Sequence, residues 1–332
     1  MDITRLHLFL TSLLTNVITA QDTSIWEDWW SYEGISGPAY WGLLNIDWAL
    51  CNKGRNQSPI NIDPKTLLFD PSLGPIVIEG DRIHGHLYNN GHDITLRVAN
   101  NSHKVNVTEG PLSYKYVVQQ IRVHFHTEDD LGSEHTIDGK SFPAEIQIFA
   151  YNTDLYNNMS TAKRSPRGLT IIALFAQISE RPHSEFGVLL KAMNKTKYKG
   201  DVTPVRGLQL SRLLPSTDNY VTYEGSMTHP GCFETVTWLV LNKPIHVSKK
   251  QIESLRVLNQ ATRDNPRMLM AGNIRPQMPL NQRTVRTNIN FVCPACETSR
   301  VGQMMQSDRT QSRSCSMGKD MFYKVNDRFK EP

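Results

Sequence analysis

The chain has 332 residues, with 36 lysines and arginines against 32 aspartates and glutamates, for a formal net charge of +4. That near balance, with no basic patch interleaved with aromatics in the body of the chain, excludes nucleic acid as a serious partner class. A hydrophobic share of 39% in a chain of this length is enough for one large globular domain and a tail.

The first twenty residues, MDITRLHLFLTSLLTNVITA, place Arg5 before an apolar run that ends at the small residue Ala20. This is the form of a secretory signal peptide over 1–20, cleaved after Ala20. The run is too short and too interrupted for a membrane anchor, and no other segment offers a membrane span, so the mature chain is expected to be soluble, secreted and extracellular. Sequons at Asn56, Asn100, Asn106, Asn158 and Asn194 fit a secreted glycoprotein, Asn56 least well because Pro59 follows its serine closely.

Strand-like runs recur along the body: 93–98 (DITLRV), 120–125 (QIRVHF), 144–151 (AEIQIFAY), 169–178 (LTIIALFAQI) and 235–241 (TVTWLVL). Gly, Pro and Asn-rich turns such as NNGHD and DGKSFP separate them. Helical patterns are few, at 184–193 and at 248–260. In the second, Ser248 can cap and Ile252, Leu255 and Leu258 recur at three-residue spacing. The mixture predicts a sheet-dominated α+β domain without internal repeats.

Within the second run, alternation turns Ile121, Val123 and Phe125 to one face and Arg122, His124 and His126 to the other. Two imidazoles at i and i+2 can reach one metal ion, but alone such a pair fits histidines on a polar sheet face better than a metal site. Five cysteines leave at least one without an intrachain partner. Cys51 and Cys232 lie far apart, whereas Cys293, Cys296 and Cys315 cluster near the end. The CPAC spacing lacks a fourth zinc ligand, since no histidine follows His246, and an oxidising compartment favours disulfides. The odd thiol is capped, free or bridged to another protein. The tail, 293–332, is mildly basic but diluted by Asp308, Asp320, Asp327 and Glu331, as in a solvated extension.

Several motifs then occur in a recognisable order: GPAYW, RNQSPINI (55–62), NNGH (89–92), GSEH (132–135), YEGSMTHPGCFETVTW (223–238) and IRPQMPLNQR (274–283). Together they resemble the α-class carbonic anhydrases, and the likeness runs from about Trp26 to Phe291. The resemblance implies a single domain over 24–292 around a large twisted, mainly antiparallel sheet with a deep conical cavity. It also implies a disulfide between Cys51 and Cys232. In active relatives three neutral histidines hold zinc and leave the fourth position to a water, whose pKa the metal lowers to about 7.

Matching residue by residue from GSEH puts the three ligand positions at Arg122, His124 and Gln147, with His126 where relatives have a glycine. Moving His124 and His126 into the ligand register requires a two-residue deletion and still leaves Gln147 third. A guanidinium offers no lone pair, and an amide oxygen is a poor zinc ligand. No zinc or other cofactor is therefore expected. Remnants match at Glu134 and Thr228, expected as a buried hydrogen-bonded pair, and at His92, which matches the proton shuttle. Phe149 and Ile171 replace smaller residues of the carbon dioxide pocket. The Arg122 charge is expected to be neutralised by Glu145 or Glu134.

The Arg, His, Gln set, the signal peptide and the extra C-terminal cysteines are similar to the secreted carbonic anhydrase-related proteins of the X/XI type. That likeness implies a catalytically inactive extracellular protein that binds a neuronal surface receptor of the neurexin class, with Cys293, Cys296 or Cys315 available for a covalent link. The competing reading is residual carbonate dehydratase or esterase activity at a zinc site rebuilt from His124, His126 and a nearby carboxylate or His92.

Overall fold

The computed structural model describes residues 29–290, Arg267 excepted. The expected signal peptide and Cys293, Cys296 and Cys315 lie outside the described residues. The long apolar runs become the middle of one 13-stranded sheet. Six of its strands, β1 (Arg82–Asn89), β2 (Ile94–Val98), β3 (Tyr116–Phe125), β4 (Ala144–Asn152), β5 (Leu169–Ser179) and β6 (Val236–Leu241), lie side by side in chain order. Every junction from β1 to β5 is antiparallel, and β6 joins β5 in parallel. Val202–Gln209 extends the sheet beyond β1 and Tyr220–Gly225 beyond β6, both antiparallel. This is the mixed, mainly antiparallel sheet of a single α+β domain that the sequence predicts.

The central strands are covered on both faces, so they read as continuous apolar runs rather than as alternating ones. In β5 the first eight residues are all buried. Alternate side chains serve two separate cores, as the two-residue period requires. Ile148, Ile172 and Leu174 join Ile121, Val123 and Phe125 in one core. Phe149, Ile171, Ala173 and Phe175 join Trp238 and Val240 in the other. Helix α1 (Ser184–Met193), bounded where the sequence places it, covers the first core with Phe186, Leu189 and Leu190.

Helix α2 (Lys249–Leu255) begins as expected, with Gln251 Oε1 accepting the Ser248 N–H, but stops well before 260. Ile252 and Leu255 on the helix, and Leu258 beyond its end, are fully buried. After Leu255 the turn tightens, with Arg256 N–H donating to Glu253 O and Leu258 N–H to Leu255 O, and the chain then leaves as Asn259 N–H donates to Lys197 O and Gln260 N–H to Met268 O. A third, small cluster gathers Trp30, Tyr32 and Trp41 on the Cys51–Cys232 disulfide, whose Cα atoms lie 5.0 Å apart. No described helix is long and apolar enough to cross a membrane.

Candidate functional site

Because Ile121, Val123 and Phe125 fill the first core, Arg122 and His124 must leave β3 on the other side of the sheet. Register then decides their neighbours: Arg122 lies opposite Gln147, and His124 opposite Glu145. Directly paired residues share a face, so Arg122, His124, Glu145, Gln147 and Phe149 stand together. His126 falls beyond the end of the strand, half-buried, its Nδ1 accepting from the Glu128 N–H at 3.3 Å.

The partner of Arg122 differs from the expectation. Arg122 Nη1 donates to Asp93 Oδ2 at 3.0 Å, rather than to Glu145 or Glu134. The reason is prior engagement. Glu145 takes the ring of His135 on Oε1 at 2.9 Å and the His135 N–H on Oε2 at 2.8 Å. Glu134 takes the Arg275 N–H at 3.0 Å and the Gln147 amide at 2.8 Å. Asp93 precedes β2, where Thr95 faces Arg122 in register, so it lies one step along the strand on the same face. Burial alone would raise the Asp93 pKa, but Arg122 and the Thr95 hydroxyl outweigh it and hold the carboxyl below the usual aspartate value.

The Glu134–Thr228 pair is also not formed. Thr228 Oγ1 is buried without a hydrogen-bond partner, and Glu134 accepts instead from Arg275 and Gln147. His92 stacks on Trp30, ring centroids 4.0 Å apart. Phe149 and Ile171 are both buried and face one another across β4 and β5, and the Arg122 guanidinium lies 5.2 Å from the Phe149 ring centre.

The residues at the expected ligand positions do not fit zinc. His124 Nδ1 donates to the Asn273 carbonyl at 2.7 Å, so only Nε2, which faces Glu134 at 3.6 Å, is left to turn toward a metal. Gln147 donates its amide nitrogen to Glu134 and Glu145, which leaves a neutral amide oxygen, a poor zinc ligand, and Arg122 is a cation. Among the described residues no group of three or more His, Cys, Asp or Glu side chains is placed to hold a metal ion. That includes the set in which His124 and His126 would join His92 or a carboxylate.

A buried relay underlies the site. His135 Nε2 lies 2.6 Å from the Tyr223 hydroxyl, which donates to Ser58 Oγ at 3.0 Å. Burial would raise the Glu145 pKa, yet the His135 charge and hydrogen bonds carry it below the ordinary value. Burial pushes Tyr223 well above the tyrosine range. Above Arg122 and Phe149 opens a cavity of about 380 Å³, also lined by Met227, His229 and Lys163. Sequence reasoning missed Asp93, Asn273, His229 and Arg275. Arg275 is fully buried and donates to Ser58 O at 2.8 Å and Cys51 O at 3.1 Å. Burial brings its pKa down to about 10.

Comparison with known proteins decides the family. Residues 36–289 match the eukaryotic-type carbonic anhydrase family. The chain belongs to that family. A relative, carbonic anhydrase-like protein 2 of Caenorhabditis elegans, is 44% identical over 265 residues, covering 78% of this chain and 79% of its own length.

Four of the expected glycosylation sites, Asn56, Asn100, Asn158 and Asn194, are exposed, and Asn106 is half-buried.

Proposed function

We propose that this chain is a secreted, non-catalytic member of the carbonic anhydrase family that acts outside the cell as a binding partner, without zinc or another cofactor. One observation carries the reading. The cation at the first ligand position is a guanidinium belonging to the protein, neutralised by a buried aspartate, and it leaves no lone pair for a metal. The "like" in the relative's name supports it. An oxidising compartment is supported by the Cys51–Cys232 disulfide and the exposed sequons. A receptor of the neurexin class on neurons is the partner that the X/XI likeness brings, with Cys293, Cys296 or Cys315 supplying a thiol for a covalent link.

The test joins zinc analysis and a carbon dioxide hydration assay on the purified secreted protein with capture on an immobilised neurexin ectodomain. The expected result is no stoichiometric metal, no turnover, and capture that becomes a reducible adduct on a non-reducing gel. Stoichiometric zinc with turnover overturns the non-catalytic reading, and absence of capture overturns the receptor.

A further inference from the structure

Two of the expected glycosylation sites meet at one place. Asn100 follows β2 and Asn158 caps the short helix Met159–Ala162, yet both line the cavity of about 380 Å³ above Arg122. Both are exposed, and each stands in an Asn-x-Ser sequence, completed by Ser102 and Ser160. The cap does not compete with a glycan. Asn158 Oδ1 accepts the Thr161 N–H at 2.9 Å, which leaves Nδ2, the atom that carries an N-linked sugar, outside that hydrogen bond.

The lining suits a neutral, hydroxyl-rich ligand. Adjacent strand residues normally face opposite ways, but the register of β3 slips between Val118 and Gln120, so Gln119 is left unpaired and both glutamines line the cavity. Asn157 and Ser160 add further neutral donors and acceptors, and the Phe149 and Tyr151 rings give apolar faces. The Arg122 charge is already neutralised by Asp93. Its Nε, and Nδ1 of His229 on the same lining, are buried without hydrogen-bond partners. Burial first, then the Arg122 charge, holds the His229 imidazole well below the usual histidine range, so the ring is neutral. A sugar hydroxyl both donates and accepts, so it satisfies either atom. The volume falls at the small end of the roughly 300–1,000 Å³ typical of ligand sites.

We propose that this cavity seats the chain's own carbohydrate: N-glycans at Asn100 and Asn158 converge on it, and their first sugars fill it and close it to other ligands. Each attachment forms a bond from Nδ2 to the anomeric carbon of an oligosaccharide carried on a lipid diphosphate; the lipid diphosphate leaves and the amide gives up one proton. The inference deepens the extracellular reading. It rests on secretion and not on the loss of zinc, and it sends a protein partner to another face.

The experiment uses the full-length protein secreted from eukaryotic cells. Glycopeptide mass spectrometry reads the occupancy of Asn100 and Asn158, and hydroxyl-radical footprinting reads the access of Tyr151 and Met159, with the exposed Met268, outside the cavity lining, as control. Asn100→Gln with Ser160→Ala removes both glycans while keeping the Asn158 cap. Both sites should be occupied in wild type, and Tyr151 and Met159 should be oxidised severalfold faster in the variant, with Met268 unchanged. Enzymatic trimming to a single N-acetylglucosamine on each asparagine tests the seating without a substitution, and the protection should persist. A bare asparagine at either site of the secreted protein overturns the proposal and leaves the extracellular reading standing, as do equal oxidation rates or protection that vanishes on trimming. A chain that never leaves the cell overturns the extracellular reading together with the proposal.

Discussion

Arg122 and Asp93 meet at 3.0 Å with side chains only 13% and 1% exposed, so the polar face of β3 holds a buried ion pair. Breaking a buried pair by removing one partner leaves an uncompensated charge, at a cost of about 3–5 kcal/mol. Arg122→Ala should therefore lower stability by about that amount in urea denaturation, and Arg122→Ala with Asp93→Ala should be more stable than the single variant. A single variant with an unchanged midpoint would sink the pairing as a structural element.

The same pair fixes a pH dependence. Asp93 has a folded pKa below its unfolded value of about 3.9, so its stabilisation is fully present above that value and is lost as pH falls through the folded one. In Arg122→Met, burial acts on Asp93 without compensation and its pKa rises. The charged carboxyl then costs stability at neutral pH, and that cost disappears as the group protonates. The stability gap between wild type and Arg122→Met should be widest near pH 7 and narrow below about pH 4. Denaturation midpoints across pH measure it, and a constant gap would contradict the mechanism.

Legibility in the sequence followed the range of the interaction. Strands β2 to β6 and helix α1 were readable because their apolar pattern is local and their flanking turns are strong. The expected ligand positions rest on motif spacing, and the register puts Arg122, His124 and Gln147 together on adjacent strands. The Arg122–Asp93 contact was not, because the two residues are 29 positions apart and meet only through the register that sets Thr95 opposite Arg122. Glu134 and Glu145 were the obvious anions by motif, but they are turned to Arg275, Gln147 and His135, which only the folded backbone reveals. The aromatic density of Trp30, Tyr32 and Trp41 was a local signal for the cluster on the disulfide, and it went unread.

The relay below the site should be structural. His135 pairs with Glu145 at 2.9 Å, both side chains fully buried. His135→Leu would leave that carboxylate unpaired and cost about 3–5 kcal/mol, whereas Tyr223→Phe removes one hydroxyl and should cost about 1–3 kcal/mol. Guanidinium chloride unfolding of the two variants compares them, and a Tyr223→Phe loss equal to that of His135→Leu would show that the ion pair is not the costly element.

The disulfide joins residues 181 positions apart. By chain entropy, a cross-link spanning so long a loop is worth several kcal/mol, with native cases commonly losing about 2–5. Cys51→Ser with Cys232→Ser should lower the thermal midpoint clearly, and more than Lys249→Ala, which removes an exposed contact to Asp129. Calorimetry of the oxidised, reduced and substituted forms checks this, with the reduced form expected to match the substituted one.

The surroundings of Arg122, His124 and Gln147 would support imidazole ligands there. His124 is already oriented through Nδ1 by the Asn273 carbonyl, and Glu145 already accepts from the side chain at position 147. Such outer partners fix the tautomer and direction of ligating imidazoles. Arg122→His with Gln147→His would set two imidazoles on β3 and one opposite them on β4, and adding Asp93→Asn removes the carboxylate left unpaired. This triple variant should take up about one equivalent of zinc, where wild type and the Gln147→His single variant take up none, because three neutral imidazoles are required. Turnover should remain low while Phe149 keeps its bulk beside the site, and Phe149→Val should raise it. Metal analysis after exhaustive dialysis decides the first point and a hydration assay the second. A zinc-free triple variant that is correctly folded would show that more than the ligands has been lost.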